Sequence, residues 1–216
     1  MMKRGLQALF VHGMGRSPLS GWPLLSRLRR AGVDAGSFGY SAAVEDVERI
    51  GARLMARLLR LADAGDYVLI GHSLGGVLLR RAVNVMPGGT RLPRHVFLLG
   101  SPQQPSRLAQ SFGSHWGFRL LTRDCGRLLG CPQRMAAIGA LTVPTTNVVG
   151  TISLPWLRQR FGDEPNDGVV ALSEVSAPWI EDQVLVKAAH TLLPASRQVS
   201  RIVLDRLQAG IEGSAG

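Results

Sequence analysis

Lysine and cysteine are scarce in this chain of 216 residues, and acidic residues are almost missing from its middle. Only two lysines and two cysteines occur, so 23 of the 25 basic residues are arginines. Cys125 and Cys131 are too few for a disulfide framework or a zinc site. A single local disulfide between them stays an alternative. With 45% hydrophobic and 19% charged residues, the chain has enough apolar side chains for a packed core, which excludes global disorder.

The net charge of +10 comes from one part of the sequence. Residues 68–162 contain 11 arginines and a single acid, Asp124, whereas the remainder holds equal numbers of basic and acidic residues. The arginines are scattered and form no basic run, which argues against a nucleic-acid-binding protein. We expect them to mark the side of the molecule that faces an anionic surface or substrate.

Long hydrophobic runs are absent as well. The apolar stretch at residues 6–11 is too short for a signal peptide. Residues 135–157 lack charge, but they contain Pro144, Pro155 and several polar side chains, which is atypical of a membrane span. These features predict a cytoplasmic protein with at most peripheral contact with a membrane.

Apolar patterns typical of strands alternate with patterns typical of helices. Strands are predicted at residues 6–12, 33–40, 66–72, 94–100, 143–149 and 183–188, and helices at 18–31, 44–62, 74–86 and 196–207. Such alternation indicates parallel βαβ units in a three-layer α/β structure, and we expect a single domain over residues 1–216. The pattern loses its regularity at residues 102–134, which we expect to form a lid-like insertion over the sheet.

The strongest chemical signal is Gly71-His72-Ser73-Leu74-Gly75, which lies between a predicted strand and a predicted helix. It fits the G-x-S-x-G pattern of a nucleophile elbow, a sharp turn that lifts a serine hydroxyl above the edge of a sheet. Small residues are needed on both sides of the serine, because the chain otherwise collides with itself. Ser73 is therefore the predicted nucleophile, and a glycine-rich turn with a purely structural role is the alternative.

A second glycine-rich segment, His12-Gly13-Met14-Gly15, follows the first predicted strand. In such a loop, one backbone N–H completes an oxyanion hole together with the N–H of the residue after the nucleophile. We assign these donors to Met14 and Leu74. We expect His12 to order the loop rather than to take part in catalysis.

Together these segments resemble the α/β-hydrolase superfamily, and most of all its bacterial lipase and esterase branch. A third segment, Asn166-Asp167-Gly168-Val169-Val170, is similar to the one that carries the triad acid in lipases of the Pseudomonas and Burkholderia type. The resemblance covers residues from about 6 to 207. It implies an α/β-hydrolase fold with a mostly parallel central sheet, helices on both faces, and a catalytic histidine after the last strand.

The order of residues along the chain also gives candidates for the base and the acid. A serine hydroxyl is a weak nucleophile, so it needs a histidine base that a carboxylate orients. His190 follows the last predicted strand and lies 23 positions after Asp167, in the order expected for this fold. Asp167 lies in an Asn-Asp-Gly turn, and Asp163 is the alternative acid.

Two features depart from the secreted lipases of this branch. Leu192 stands where those lipases usually carry an aspartate for calcium, so we expect no calcium site. The insertion at residues 102–134 is shorter than a full lipase lid. It either covers an acyl pocket, rests on an anionic membrane, or packs on the sheet as a short amphipathic helix. Its apolar and basic residues are Phe112, Trp116, Phe118, Leu120 and Leu121 with Arg107, Arg119, Arg123 and Arg127.

The motifs predict a serine hydrolase that cleaves small-molecule or lipid esters through an acyl-enzyme intermediate, without a metal or another cofactor. Thioesterases, amidases and acyltransferases use the same triad, and the sequence does not separate them. A non-catalytic binding protein on a hydrolase fold is the remaining alternative, although such a protein has no physical need for all members of the triad.

Overall fold

The computed structural model describes residues 5–112, 115–153 and 161–212. Its centre is a six-stranded sheet in the order β2-β1-β3-β4-β5-β6, in which every neighbouring pair is parallel. The strands are β1 Gln7–Val11, β2 Asp34–Phe38, β3 Tyr67–His72, β4 His95–Leu99, β5 Thr145–Gly150 and β6 Asp182–Val186. The predicted α/β architecture with a parallel sheet is confirmed.

Helices cover both faces of this sheet. They are α1 Trp22–Arg30, α2 Val47–Ala64, α3 Leu74–Asn84, α4 Arg107–Phe112, α5 Trp116–Gly130, α6 Pro132–Ala136, α7 Leu172–Val175 and α8 Arg197–Glu212. Short 3-10 helices occur at Pro18–Gly21 and His190–Ala195. None of the helices in the described ranges is long and apolar enough to cross a membrane.

Alternate residues of the strands face separate cores. Leu9 and Leu69 pack with α2, α3 and α5 on one face of the sheet, whereas Phe10 and Ile70 pack with α1 and α8 on the other. Side chains along a strand alternate in direction, so a strand covered on both faces must be apolar at nearly every position. β3 is buried along its whole length, which explains its continuous apolar sequence.

Residues 102–134 are more helical than their sequence pattern indicated. They contain α4, α5 and the beginning of α6. The backbone of α5 leaves helical geometry at Arg123, where φ is 42°, and this break interrupts the apolar periodicity. Cys125 belongs to α5 and is buried in the core, and both Cys125 and Cys131 are free thiols, so no local bridge forms. The side chains of Phe118 and Arg119, and all of Pro155, lie outside the described part.

The arginines of residues 68–162 do not gather on one side of the molecule. Arg91 and Arg94 lie just before β4 and pair with Asp66, just before β3, at 2.7 and 3.4 Å. Because parallel strands begin at the same edge, these pairs lie at the amino edge of the sheet. The expectation that these arginines mark the side of the site is therefore wrong for Arg91 and Arg94.

Candidate active site

Ser73 occupies the sharp turn between β3 and α3. Its φ and ψ are 54° and −126°, a region that residues other than glycine rarely adopt. The Ser73 N–H donates a hydrogen bond of 2.9 Å to the carbonyl of Leu99 at the end of β4. The turn is thus held in its strained geometry by the neighbouring strand as well as by β3 and α3.

The glycines around Ser73 allow backbone segments to approach closely. A Cβ atom at Gly71 would lie 2.3 Å from the Cα of Gly76, and one at Gly75 would lie 2.2 Å from the carbonyl oxygen of Val11. These contacts involve backbone atoms, so no side-chain rotation would relieve them. The G-x-S-x-G pattern is therefore required by the packing of the turn on itself and on the end of β1.

Asp167 and His190 come from different loops and form a buried hydrogen-bonded pair. The Nδ1 of His190 lies 2.7 Å from Oδ2 of Asp167, and the side chains are only 6% and 0% exposed. The other carboxylate oxygen of Asp167 accepts hydrogen bonds from the N–H groups of Val169 and Val170, at 3.0 and 2.9 Å. Asp167 is therefore fixed as an acceptor for the Nδ1–H of His190, which leaves the Nε2 lone pair of His190 free to accept a proton.

Glycines at the ends of β4 and β5 leave room for this pair. Gly100 has a φ of 55°, and a Cβ atom there would lie 3.0 Å from both Asp167 Oδ2 and His190 Nδ1. A Cβ atom at Gly150 would lie 2.8 Å from the Cβ of Asp167. The structure therefore brings Asp167 to His190, whereas the alternative acid, Asp163, is exposed.

His72 joins the turn at Ser73 to the loop that carries His190. Its ring lies 4.8 Å from the ring of His190, and its Nε2 lies 3.0 Å from the backbone carbonyl oxygen of His190. Burial lowers the pKa of His72 well below its usual value, and the neighbouring His190 lowers it further. This contact was not predicted, and its only sequence signal is the position of His72 directly before Ser73.

His12 is held entirely by the protein around it. Its ring stacks on Tyr40 at 4.3 Å, its Nε2 accepts a hydrogen bond of 3.3 Å from the Tyr40 N–H, and its Nδ1 lies 2.9 Å from the Gly13 carbonyl oxygen. Because Nε2 is an acceptor, Nδ1 carries the proton of a neutral ring. Burial lowers the pKa of His12. These contacts agree with the expected role of His12 in ordering the loop.

The loop after β1 passes beside the turn at Ser73. A Cβ atom at Gly13 would lie 3.0 Å from the Cβ of Ser73. The backbone N–H groups of Met14 and Leu74 form no hydrogen bond with any residue of the described part of the chain. Within the same part, no cluster of histidine, cysteine or carboxylate side chains is arranged to hold a metal ion.

Comparisons with known proteins agree with this architecture. A search of curated protein sequences finds no match. Among solved structures, mature lipase BlEst2 of Bacillus licheniformis has 19% identity and a TM-score of 0.75, with 94% of this chain and 92% of that chain covered. The thioesterase RedJ from prodiginine biosynthesis in Streptomyces coelicolor has 18% identity and a TM-score of 0.63, with 95% and 85% covered. A metagenomic carboxyl esterase has 16% identity and a TM-score of 0.66, with 88% and 66% covered.

These identities show a shared fold alone. The model of the alpha/beta hydrolase family, in contrast, matches residues 8–208, which is nearly the whole chain. Together with the parallel sheet and the strained serine between β3 and α3, this match leads to one conclusion: the chain belongs to the alpha/beta hydrolase family.

Proposed function

We propose that the protein is a serine hydrolase that cleaves carboxylic esters with Ser73, His190 and Asp167 as its catalytic triad. The observation that carries the proposal is the buried hydrogen bond of 2.7 Å between His190 and Asp167. It lies at the carboxyl edge of the sheet, where the strained turn presents Ser73. A histidine that is oriented by a carboxylate in this way is the base that a serine nucleophile needs.

In the proposed reaction, the Oγ of Ser73 attacks the ester carbonyl carbon while Nε2 of His190 takes its proton. The bond between the carbonyl carbon and the alcohol oxygen then breaks, and His190 returns the proton to the leaving oxygen. Asp167 stabilises the imidazolium ion that forms between these steps. A water molecule then attacks the acyl carbon while His190 takes one of its protons. The bond between the acyl carbon and Oγ of Ser73 breaks, His190 returns the proton to Oγ, and the carboxylic acid leaves.

The free backbone N–H groups of Met14 and Leu74 are the proposed oxyanion donors. Neither has an acceptor within the described residues, and Gly13 brings the loop of Met14 into contact with Ser73. Leu74 is the first residue of α3, where the helix dipole also favours negative charge. Fixed donors of this kind stabilise the charge that develops on the carbonyl oxygen in the transition state.

The experiment that tests the proposal is hydrolysis of p-nitrophenyl acetate, butyrate and octanoate by the wild type and by Ser73→Ala. We expect the variant to lose activity on the order of 10⁶-fold, because the nucleophile is absent. Ser111→Ala is the matched control, since Ser111 is exposed on α4 and its hydroxyl donates to the Arg107 carbonyl of the same helix. Equal turnover by wild type and Ser73→Ala would contradict the proposal.

A thioesterase is the second candidate. The observation that favours it is the likeness to RedJ, a thioesterase whose structure covers as much of this chain as the lipase structure does. The same triad also serves amidases and acyltransferases. Comparing kcat/KM for an ester, a thioester and an amide with the same acyl group would rank these candidates directly.

For the surface around the site, we propose contact with an anionic lipid surface. The described residues include eleven exposed large hydrophobic side chains. Eight of them lie in the first half, along the chain, of a segment that follows a strand, and so come soon after the carboxyl end of that strand. They are Leu19, Trp22, Val44, Trp116, Leu120, Leu121, Ile152 and Leu192. Arg16, Arg123 and Arg127 are exposed in the same segments and form no ion pair with described residues. Apolar side chains with unpaired arginines are typical of surfaces that bind anionic lipids.

Sedimentation with vesicles tests this contact. We expect binding to phosphatidylglycerol vesicles that weakens with salt, and little binding to phosphatidylcholine vesicles. Trp116→Ala is expected to weaken binding about 10-fold, because a large apolar side chain no longer enters the interface. Val85→Ala is the control, because Val85 is exposed at the far end of α3. Equal binding to both kinds of vesicle would contradict the charge argument, and unchanged binding by Trp116→Ala would contradict the apolar one.

A further inference from the structure

The buried ring of His72 contacts His190 and lies beside the loop after β1. It ends β3, is 2% exposed, and precedes Ser73 directly. Its Nε2 lies 3.0 Å from the carbonyl oxygen of His190, and its ring packs against the ring of His190. Its Nδ1 lies 3.1 Å from where a Cβ atom of Gly13 would be, which places it beside the loop of Met14.

The hydrogen bonds of His72 define its protonation state. The carbonyl oxygen of His190 only accepts, so Nε2 of His72 must carry a proton. Its Nδ1 is buried without a partner among the described residues. A charged ring would place a second N–H at this position, where no residue of the described ranges offers an acceptor, so the neutral form with the proton on Nε2 is favoured. Burial, which lowers the pKa of His72, acts in the same direction.

His190 is held from opposite sides. Its N–H donates to the carbonyl oxygen of Asp167 at 3.0 Å, and its ring binds the carboxylate of Asp167. Its own carbonyl oxygen accepts the proton of His72. The bond from His72 therefore fixes the backbone of the base relative to the residue next to the nucleophile.

We propose that His72 is a positioning residue, whose neutral ring donates a hydrogen bond to the His190 backbone and so holds the base in register with Ser73. This inference rests on the proposed function. Such a role acts on the chemical step rather than on substrate binding, because His72 is buried behind the reacting groups. A displacement of catalytic groups by about 1 Å is enough to lower a rate by about 100-fold.

The test compares His72→Leu with His72→Gln on one p-nitrophenyl ester. His72→Leu removes the donor, and we expect kcat to fall about 10- to 100-fold with KM unchanged. His72→Gln retains an N–H donor at a similar reach and is expected to recover most of the lost kcat. His95→Leu is the matched control, since His95 begins β4 at the amino edge and bonds to Thr146 there.

Equal kcat in wild type and His72→Leu would overturn the inference, and so would an equal loss in His72→Leu and His72→Gln. NMR of the wild type labelled with ¹⁵N-histidine gives a second readout that does not depend on activity or on folding of a variant. We expect His72 to be neutral, with its proton on Nε2, at about pH 6.5, where an unperturbed histidine would be half protonated. A proton on Nδ1, or titration near the ordinary histidine pKa, would also overturn the inference. Activity in Ser73→Ala, in contrast, would contradict the proposed function itself.

Discussion

The carboxyl and amino edges of the sheet hold their polar side chains in different ways. At the amino edge, Asp66 pairs with Arg91 and Arg94, and Asp182 pairs with Arg206 at 2.8 Å, all with partly exposed side chains. At the carboxyl edge, Asp167 is fully buried and bonds to His190 and to backbone N–H groups instead of an arginine. The amino edge thus has ordinary surface ion pairs, whereas the carboxyl edge has a buried pair that is costly to bury and is fixed by many contacts.

Backbone strain follows the same division. Ser73 at the carboxyl edge has a positive φ without being a glycine, and Gly100 has a positive φ beside Asp167 and His190. Gly32, which precedes β2 at the amino edge, also has a positive φ, but a Cβ atom there would meet nothing within 4 Å. Positive φ combined with crowding occurs at Gly100, beside the pair of Asp167 and His190. This difference between the edges can be tested by changes at matched positions.

Among the changes that compare the two edges, the largest effect is expected from Asp167→Asn. The amide oxygen can still accept from Val169 and Val170, but the amide nitrogen would donate to Nδ1 of His190 and place the ring proton on Nε2. The base is then lost, and we expect kcat to fall on the order of 10⁴-fold. Asp163→Asn is the control, since Asp163 is exposed in the same loop. Steady-state kinetics on a p-nitrophenyl ester measures kcat for both variants. Comparable losses of kcat in the two variants would show that Asp167 is not the triad acid.

The second effect compares Gly100→Ala with Gly32→Ala. Both variants place a Cβ on a backbone with positive φ, which costs about 1 kcal/mol of stability in each. In Gly100→Ala the new methyl group also presses on Asp167 and His190, so we expect kcat to fall about 100-fold. Gly32→Ala should retain the wild-type kcat. Urea unfolding and kinetics on the same samples separate the two effects, and equal kcat values would show that Gly100 has only a backbone role.

The third prediction concerns the pH dependence of stability. Burial lowers the pKa of His72 in the folded state, so below about pH 6.5 the unfolded chain binds a proton that the folded protein does not. The free energy of unfolding therefore falls as the pH falls through this value. Between pH 7.5 and pH 5.5, we expect the wild type to lose more unfolding free energy than His72→Gln in urea unfolding, with about 1.4 kcal/mol as the upper limit set by one proton.

His95→Gln provides the comparison at the amino edge. Burial also lowers the pKa of His95, but the nearby Asp182 raises it and so reduces the difference between the folded and unfolded states. The difference between wild type and His95→Gln should therefore be smaller than the one for His72→Gln. If the His95 difference were the larger, the view that His72 is the more strongly desolvated histidine would be wrong.

The smallest effect is expected from Asp66→Asn at the amino edge. Its ion pairs with Arg91 and Arg94 are partly exposed, and such pairs contribute about 0–1 kcal/mol. We expect the free energy of unfolding to change within this range and kcat to stay unchanged. A fall in kcat would show that the two edges are coupled, which the separation described above does not predict.

Much of this arrangement could be predicted from the sequence because it depends on local rules. The order of strands and helices follows from apolar periodicity, and Ser73 follows from glycines at fixed positions around a turn. Asp167 and His190 were predicted from chain order and from the turn that contains Asp167. In the structure, they are joined by a hydrogen bond.

The remaining features depend on contacts that are distant in sequence. His72 and His190 are 118 positions apart, and nothing near His72 indicates which loop its ring will meet. Arg123 breaks the geometry of α5, so the helices of residues 102–134 show no continuous periodicity. The count of arginines in residues 68–162 did not indicate that Arg91 and Arg94 pair with Asp66 at the amino edge, because Asp66 lies outside these residues.

The most direct test of the central claim is labelling of the folded protein with a fluorophosphonate probe, followed by peptide mass spectrometry. An activated serine attacks phosphorus, whereas an ordinary serine hydroxyl does not. The account predicts one modified residue, Ser73, in the wild type and in Asp163→Asn, with no labelling of Ser73→Ala and greatly slowed labelling of Asp167→Asn. Absence of labelling in the folded wild type would contradict it. Modification of another serine in Ser73→Ala, at the rate at which the wild type is labelled, would contradict it as well.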